Sequence, residues 1–532
     1  MRKNIFCMLA MMLQTLTGTA ATDNQPMMDD NTSIKESVVK GDCTPDVTDG
    51  TAFSRAARRR LPTINKQWDA NKTYHQMVIL FSFKDVDFQS DDPKAAYDSI
   101  LNVNGYNKRD GKGCMAEYFR DQSYGRLNLQ FDIYGPVKID TLAQPYPSPN
   151  ENTRNYGRVQ FAEATKKVLS QYPDVDYTQY DWNGDGSIEQ VIYIYAGYSG
   201  NQSERSYGYI WPNTSSITAV TTPDKMRISN YTCSGEMWVN NTSCGFGTIC
   251  HEYTHSLGLP DIYPTTANAG FSVVDEWDLM DGGNFTNLGW CPPNFTPIEK
   301  YLLGWLDFVD LEEPTTITDM KPSAEGGPVY RIKHSANEWL LLENRQQRGW
   351  DFGAPGKGLV IYHVCYDKSV WSGNSVNNNV NKRRFELVHA DNMDYDEWEQ
   401  LSFSRNIRWA NKGRLNNVIL STSPYPWTTD STDFVNDRLT ETSVPAPKMN
   451  YTNDDGNLKL EKSITNIRMN DEGLISFDFM KDDGSDVSSL FIESSDAKAG
   501  DTRQRIFGLT GQRLVAPRKG VNIVGGKKVV VR

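Results

Sequence analysis

The sequence predicts an α+β protein in which a mixed-sheet domain with one central helix is followed by a β-rich region. Three observations predict this class. Residues 77–83 are an apolar run with the length of a buried strand, residues 247–257 have the apolar spacing and closing glycine of a helix, and short apolar segments dominate the chain after Trp305. At 532 residues, the chain has room for about three folding units, each with its own core.

The charge balance argues against one class of partner. The chain carries 55 Lys and Arg residues against 67 Asp and Glu residues, for a formal net charge of -12. A surface that binds nucleic acid needs a basic excess, and only short basic runs are present. We therefore expect no nucleic-acid partner, and we expect the chain to act as a monomer.

Residues 1–21 have the three zones of a secretory signal. Arg2 and Lys3 precede an apolar stretch at residues 5–16, and small residues follow at positions 18–21. The apolar stretch is short for a membrane span, and no later stretch reaches that length. The sequence therefore predicts an exported chain without a transmembrane segment, which is secreted or held at the cell surface.

Residues 22–72 are either a propeptide or a disordered leader, and the sequence leaves both open. The segment is polar, has little periodicity and contains three successive arginines at residues 58–60, which a trypsin-like protease can cleave. A thiolate from Cys43 or a carboxylate from Asp42 can bind a metal ion and exclude the attacking water. We therefore name Cys43 and Asp42 as candidate latency residues of a zymogen.

The first folded unit alternates strands and helices. Residues 77–83 form the first strand, residues 114–125 a helix that a glycine ends, and residues 127–137 an alternating strand. Residues 161–169 again have a helical pattern. We expect these elements to pack the core and assign them no chemistry.

The next segment contains the oxygen donors of the first half of a calcium loop. Asp181, Asn183 and Asp185 alternate along the chain, and a glycine then permits the tight turn. Glu189 closes the set directly or through water. Because the twelfth position is Ile192 rather than glutamate, the segment is not a complete EF-hand, and an unoccupied acidic turn is the alternative. We predict a calcium ion that stiffens the domain without taking part in a reaction.

One helical segment contains the pattern on which the functional prediction depends. On a helix, His251 and His255 lie one turn apart on the same face and can bind one metal ion. Glu252 lies beside them, where it can take a proton from the attacking water as general base. Gly258 permits a sharp turn that directs Asp261 back towards the metal. We predict a zinc ion held by the two histidines and the aspartate.

The spacing from the first histidine to the aspartate resembles the metzincin arrangement of a helix, a glycine turn and a third ligand. Residues 277–283 supply a candidate Met-turn, in which Met280 is the hydrophobic floor of the zinc site. Together with residues 299–305, these segments resemble the immune inhibitor A family of secreted zinc metallopeptidases. The resemblance implies a metzincin-like catalytic domain over residues 73–307 and a zinc-dependent endopeptidase that hydrolyses peptide bonds of proteins.

Two alternatives remain open. Glu276 lies at the distance from His255 at which thermolysin-like enzymes take a third ligand from a second helix, although intervening prolines break the helix pairing that presents such a residue. We therefore favour Asp261. The other alternative is a surface adhesin or binding protein on a peptidase scaffold. An intact Glu252 argues against it, because a binding protein does not need a general base.

Protein or peptide substrates need a surface that accepts an extended chain. Residues 209–212 and 226–232 are strand-like and have polar flanks. We expect them to form a sheet edge along which the substrate binds through main-chain hydrogen bonds.

Residues 308–480 are predicted to form a β-rich, sandwich-like accessory domain. Residues 338–346 and 358–364 are apolar strands joined by a turn that contains glycine and proline, and both resemble the segment after the catalytic core of the same family. His363 and His389 are expected to be structural rather than catalytic.

The C-terminal residues form the last predicted unit. A linker rich in Gly, Ser and Asp at residues 481–489 precedes residues 490–532, in which three short strands separated by glycine turns predict a small β module. This tail resembles the C-terminal sorting domain of type IX secretion substrates, which implies that secretion machinery is a partner and that the protein crosses an outer membrane. An ordinary terminal β module is the alternative.

Overall fold

The computed structural model describes residues 68–144, 155–201, 208–238, 241–266, 272–393, 420–429 and 432–481, together with the backbone of four strands between residues 506 and 531. The predicted signal sequence, the candidate latency residues Cys43 and Asp42 and the predicted linker after Lys481 lie outside these residues. Within the described ranges, no helix is both long enough and apolar enough to cross a membrane.

Six α-helices and nineteen β-strands lie in the described part of the chain. The helices are α1 (Pro93–Asn102), α2 (Met115–Gln122), α3 (Arg158–Gln171), α4 (Gly247–Leu257), α5 (Pro297–Leu302) and α6 (Lys368–Ser372). The strands are β1 (Thr73–Ser82), β2 (Asn128–Lys138), β3 (Val191–Tyr198), β4 (Asn213–Thr221), β5 (Arg227–Met237), β6 (Val309–Asp310), β7 (Thr315–Met320), β8 (Tyr330–Lys333), β9 (Glu338–Arg345), β10 (Gly358–Cys365), β11 (Phe385–Leu387), β12 (Trp427–Thr429), β13 (Thr432–Asn436), β14 (Ile464–Met469), β15 (Ile475–Phe479), β16 (Ile506–Gly508), β17 (Arg513–Leu514), β18 (Gly520–Val524) and β19 (Lys527–Val531).

The first sheet is mixed and has the order β2-β1-β3-β5-β4. The first four of these strands pair in parallel, and β4 pairs antiparallel with β5. Strands β1 and β3 are apolar and almost wholly buried, as expected for parallel strands covered on both faces. The mixed sheet and the small number of helices agree with the predicted class.

One prediction about this sheet is wrong. Residues 226–232 are expected at a free edge, but most of them lie in β5, which is hydrogen-bonded to β3 on one side and to β4 on the other. The outer strand on this side of the described sheet is β4, whose sequence is rich in Ser and Thr. A strand paired on both sides has no main-chain groups left for a substrate, so β4 takes the role of the edge.

Aromatic side chains fix helices on both faces of the first sheet. On one face, Phe161 of α3 stacks on Tyr193 of β3 with ring centroids 4.5 Å apart. On the other face, Tyr253 of α4 makes edge contacts with Phe119 of α2 and Phe131 of β2. Because Tyr253 anchors α4 to the sheet, the residues on the opposite side of this helix point away from it.

The apolar core around α4 includes residues beyond residue 307, the predicted end of the catalytic domain. The cluster that contains Ile249 and Trp277 also includes Leu341 of β9 and Val360 and Tyr362 of β10. One face of the second sheet, with the order β11-β10-β9-β8-β6, therefore packs on the catalytic region. The two regions predicted as separate domains share one core.

A buried ion pair lies at this junction. The Arg345 guanidinium forms a salt bridge with Asp351, and both side chains are buried. The same guanidinium donates to the carbonyl of Trp277 at 2.6 Å and lies over its ring at 5.2 Å, and it donates to the carbonyl of Asn294 at 3.3 Å. Strand β9 is thus tied to the turn that the sequence identifies as a Met-turn.

The other face of the second sheet packs against the three-stranded sheet β14-β15-β7. Leu340 and Ile361 share a core cluster with Ile464 and Phe477 across this interface. Two sheets face to face correspond to the sandwich-like packing that the sequence predicts for residues 308–480.

The C-terminal residues form a four-stranded antiparallel sheet with the order β17-β16-β18-β19. The sequence predicts three strands in this unit, and this count is wrong. Residues 513–514 pair back antiparallel onto β16 as a strand of their own, with Leu514 opposite Ile506.

Replacing Arg345 is expected to destabilise the protein far more than replacing a nearby surface arginine. Arg345→Met leaves the Asp351 carboxylate buried without its cation, and losing one partner of a buried pair costs about 3–5 kcal/mol of unfolding free energy. The measurement is urea unfolding followed by tryptophan fluorescence.

The matched control is Arg348→Met. Its ion pair with Glu325 is about half exposed on both sides, at 48% and 46%, and such pairs contribute at most about 1 kcal/mol. Equal losses in the two variants would show that the junction does not depend on the buried pair.

His363 gives the accessory region a predictable pH dependence. Burial lowers the pKa of His363, but hydrogen bonds to Glu338 at 2.8 Å and Glu386 at 3.1 Å outweigh it and raise this pKa to about 9. The unfolded value is about 6.5. The charged histidine therefore stabilises the fold fully below about pH 6.5, and this contribution is lost as the pH rises through about 9.

We expect the melting temperature of wild type to exceed that of His363→Gln most at pH 6, and the difference to shrink towards pH 10. Differential scanning fluorimetry across this range measures it. A difference that grows with pH would contradict the assignment of a charged histidine between two carboxylates.

Candidate metal centre and active site

Helix α4 is buried over most of its length and ends at a glycine turn. Residues 247–255 are all buried. Gly258 follows the helix in the left-handed region, with φ of 108°, and its N–H donates to the carbonyl of His255 at 3.0 Å. A side chain at this position is strained, so glycine is the residue that lets the chain reverse towards Asp261.

The structure brings His251, His255 and Asp261 together. Oδ1 of Asp261 lies 3.2 Å from Nε2 of His251 and 3.2 Å from Nε2 of His255. The two imidazole rings are nearly perpendicular, with centroids 4.9 Å apart. Three ligand atoms, one from each of three buried residues, therefore lie within 4.8 Å of one another. We call His251, His255 and Asp261 the cluster.

The Nδ1 atom of each histidine is hydrogen-bonded to a main-chain carbonyl. Nδ1 of His251 lies 2.8 Å from the carbonyl of Leu279, and Nδ1 of His255 lies 2.8 Å from the carbonyl of Leu259. Because a carbonyl only accepts, each Nδ1 carries the proton, and each Nε2 is left with its lone pair directed at the cluster.

This donor set fits a zinc ion. Two imidazole nitrogens and one carboxylate oxygen are ligands that zinc takes in catalytic sites, where a fourth position stays open. Three acceptors that face one another in a buried site repel unless a cation lies between them. Burial raises the pKa of Asp261, but protonated imidazoles that donate to Oδ1 hold this pKa well below its usual range when no metal ion is bound. A cation bound between the three residues favours the ionised carboxylate in the same way.

The segment around Met280 supports two parts of the cluster. The Leu279 carbonyl orients His251, and the Met280 carbonyl accepts from the N–H of Ile262 at 2.8 Å, next to the aspartate. Asp278 in turn accepts from the N–H of Met280 at 2.6 Å. Met280 is fully buried, and the turn connects the helix to the third ligand.

The backbone carbonyl of Glu252 is hydrogen-bonded to the sheet, whereas one oxygen of its carboxylate accepts no hydrogen bond among the described residues. The hydroxyls of Thr214 in β4 and Thr232 in β5 both donate to its carbonyl, the second at 3.3 Å. Oε1 is buried and has no hydrogen-bond partner among the described residues. Burial raises the pKa of Glu252 to about 8, and a cation bound beside it favours the ionised form instead.

A residue that the sequence does not single out contacts the aspartate directly. Nδ2 of Asn374 donates to Oδ2 of Asp261 at 2.7 Å, and the N–H of Asp261 donates to Oδ1 of Asn374 at 2.7 Å. The run of asparagines around residue 374 is the only signal in the sequence. It has no fixed offset from the helix pattern and could not have been assigned from spacing.

Glu276 takes no part in the cluster. It lies in a short 3-10 turn, Asp275–Trp277, and is buried. Among the residues that the structure describes, the group that can hold a metal contains Asp261 and does not contain Glu276. The geometry therefore favours the aspartate over the thermolysin-like alternative.

The proposed calcium donors form a tight turn stabilised by its own backbone. Oδ1 of Asp181 accepts from the N–H groups of Gly184 and Asp185, and Oδ2 accepts from Gly186 at 2.8 Å. Asn183 accepts from Asp185 at 3.0 Å. A turn of this kind exists with or without an ion, so calcium at Asp181, Asn183, Asp185 and Glu189 stays a prediction.

Known proteins are similar to this chain over the region that contains the cluster. Residues 66–302 match the family model described as "Immune inhibitor A peptidase M6, catalytic domain". Immune inhibitor A of Bacillus thuringiensis subsp. alesti is 28% identical over 173 residues, covering 27% of this chain and 24% of that protein. The pre-pro-metalloprotease PrtV of Vibrio cholerae serotype O1 is 22% identical over 245 residues, covering 41% of this chain and 26% of that protein.

The chain spans about a quarter of the length of these curated relatives. The family match and the relatives support a metalloendopeptidase, and all three predicted zinc ligands lie inside the matched residues. The resemblance to the immune inhibitor A family is confirmed for this catalytic region. The match does not extend to the C-terminal tail.

Replacing Asp261 is expected to remove bound zinc, whereas replacing Glu276 is not. Asp261→Ala takes away one of three converging ligand atoms and leaves two neutral imidazoles, which hold a divalent ion weakly. We expect the zinc content of the dialysed protein, measured by inductively coupled plasma mass spectrometry, to fall to a small fraction of the wild-type value. Glu276→Ala is the matched control, because it also removes a buried acid. Zinc loss in the control and retention in Asp261→Ala would restore the thermolysin-like arrangement.

Proposed function

We propose that this chain is a secreted zinc-dependent endopeptidase that hydrolyses peptide bonds of proteins, with Glu252 as general base. The observation that supports it most is the convergence of His251, His255 and Asp261 beside a buried carboxylate oxygen without a hydrogen-bond partner. The peptidase M6 match covers the same residues. Three metal ligands beside a carboxylate oxygen that has no hydrogen-bond partner are an arrangement that hydrolysis requires and that a binding protein does not need.

The residues of the cluster would hold the zinc ion through Nε2 of His251, Nε2 of His255 and Oδ1 of Asp261. When bound, zinc supplies a Lewis acid that polarises the scissile carbonyl and lowers the pKa of the attacking water. The carbonyls of Leu279 and Leu259 keep both imidazoles in the tautomer that binds metal.

Glu252 would carry the proton transfers. Its carboxylate takes one proton from the water whose oxygen forms the new bond to the scissile carbon. It then delivers this proton to the amide nitrogen, so that the C–N bond breaks and the amine leaves. Thr214 and Thr232 hold the backbone of Glu252 against the sheet.

The substrate would bind as an extended strand along β4. This strand is the outer one on its side of the described sheet, and Thr214 within it contacts the backbone of Glu252. Main-chain pairing with an edge strand accepts many sequences, as an endopeptidase requires.

The remaining parts of the proposal concern export and regulation. Residues 1–21 would direct export, and residues 22–72 would include a propeptide in which Cys43 or Asp42 maintains latency. The name of the relative, a pre-pro-metalloprotease, supports a chain with both segments. The C-terminal sheet would act as a type IX sorting module, and calcium would bind at the Asp181 turn.

Glu252→Gln is expected to abolish hydrolysis without releasing zinc. The amide keeps the size of the side chain but cannot accept the proton of water, and loss of a general base lowers kcat by about 100-fold to 10,000-fold. Cleavage of casein by purified, processed protein measures the activity, and metal analysis measures zinc.

Chelator treatment followed by zinc addition completes the experiment. We expect activity to disappear with the chelator and to return with zinc in wild type, and not to return in Glu252→Gln. A wild-type protein that binds zinc and peptides but cleaves no protein substrate would favour a binding protein on a peptidase scaffold. Full activity in Glu252→Gln would exclude the base role.

A further inference from the structure

Asn374 contacts the third candidate ligand with both ends of its side-chain amide. Its Nδ2 donates to Oδ2 of Asp261 at 2.7 Å, and its Oδ1 accepts from the N–H of Asp261 at 2.7 Å. Both residues are buried, the asparagine at 8% exposure. The oxygen left for the two imidazoles is Oδ1, which lies 3.2 Å from each Nε2. The two carboxylate oxygens thus have different partners.

The loop that carries Asn374 is held on both sides. Towards the cluster, Nδ2 of Asn377 donates to the carbonyl of Ile262, and Oδ1 of Asn378 accepts from the N–H of Thr265 at 2.7 Å. Towards the second sheet, Asn377 exchanges hydrogen bonds with the backbone of Phe385 in β11. The loop is therefore hydrogen-bonded both to β11 and to the ligand segment.

This contact comes from outside the matched peptidase region. The family match ends at residue 302, and Asn374 follows α6 in the β-rich region. The catalytic part and the accessory part are joined at the third ligand itself, in addition to the shared core.

Carboxylate chemistry gives this contact a consequence for the metal. A carboxylate ligand gives a zinc ion more negative charge than a third imidazole does, which weakens the ion as a Lewis acid. An N–H donated to the distal oxygen withdraws part of this charge, because hydrogen bonding to the charged form stabilises it. The same bond engages Oδ2, so that Oδ1 is the oxygen that faces the two imidazoles, and it restrains the side-chain rotation.

We propose that Asn374 is a positioning residue that fixes Asp261 as a one-oxygen zinc ligand and moderates its charge, so that the β-rich region completes the metal centre. The inference rests on the proposed function, since it assigns zinc to the cluster. It also assigns the accessory region a role at the active site beyond packing.

The test compares two replacements at this position in the full chain. Asn374→Ala removes both hydrogen bonds. Asn374→Asp keeps the shape of the side chain and replaces the donor by an acceptor that repels Asp261. Loss of an outer hydrogen bond to a metal ligand weakens metal binding by about 10-fold to 100-fold. We expect zinc affinity, measured by competition with a chromophoric chelator, to fall by this factor in Asn374→Ala and further in Asn374→Asp.

A spectroscopic signal separates positioning from general loop stability. In the cobalt-substituted protein we expect the visible absorption bands to shift in both variants, because the ligand field changes when Asp261 rotates. With saturating zinc, kcat on casein is expected to fall with little change in KM.

The matched control is Asn378→Ala, which removes a loop anchor at Thr265 without touching Asp261. We expect it to keep the zinc affinity and the cobalt spectrum of wild type even if the melting temperature falls. Equal effects of Asn374→Ala and Asn378→Ala on affinity and spectrum would overturn the positioning role, as would wild-type affinity in Asn374→Ala.

The outcomes distinguish this inference from the proposed function. If wild type binds zinc but does not cleave protein, the peptidase proposal fails, while the affinity and cobalt measurements still decide the role of Asn374. If wild type binds no zinc, the inference about Asn374 fails with the metal centre.

Discussion

The structure depends on one electrostatic constraint, which is that a buried carboxylate needs a compensating charge or donor. The carboxylate faces two imidazoles whose Nδ1 atoms are already hydrogen-bonded to main-chain carbonyls. The Asp261 side chain is fully buried, and the Nδ1 atoms of His251 and His255 face main-chain carbonyls. A charge in this position is tolerated only if cations or strong donors surround it. Asn374 supplies a donor to Oδ2, and the two histidines of helix α4 face Oδ1 with the ring nitrogens between which a cation can bind.

The second half of the chain also contributes contacts to the region of this site. The Arg345 guanidinium fixes β9 against Trp277, and the asparagine loop after α6 reaches the ligand segment. An apolar core that continues from α4 into β9 and β10 holds these polar contacts in register. The candidate metal site is thus in contact with segments that, in sequence, follow the matched region.

The local part of the site could be predicted from the sequence, whereas its tertiary part could not. His251, Glu252 and His255 lie on helix α4, and Gly258 and Asp261 follow in the turn directly after it, so local geometry relates all five. Asn374 meets Asp261 across 113 residues, and no periodicity encodes such a contact. The same limit explains the edge strand, because whether β5 is inner or outer depends on where β4 folds back. The C-terminal strand count fails for a smaller reason, since a two-residue strand has no pattern of its own.

Asp261 and Asn374 are 113 residues apart in sequence, so the ribosome adds them at different times. A chain elongating at about 5–20 residues per second produces the asparagine roughly 6–23 seconds after the aspartate. Until then the helix with its two histidines exists without the group that holds the carboxylate in place. Under the role proposed for Asn374, the candidate metal site of a nascent chain is therefore complete only after the β-rich region has been synthesised and has folded.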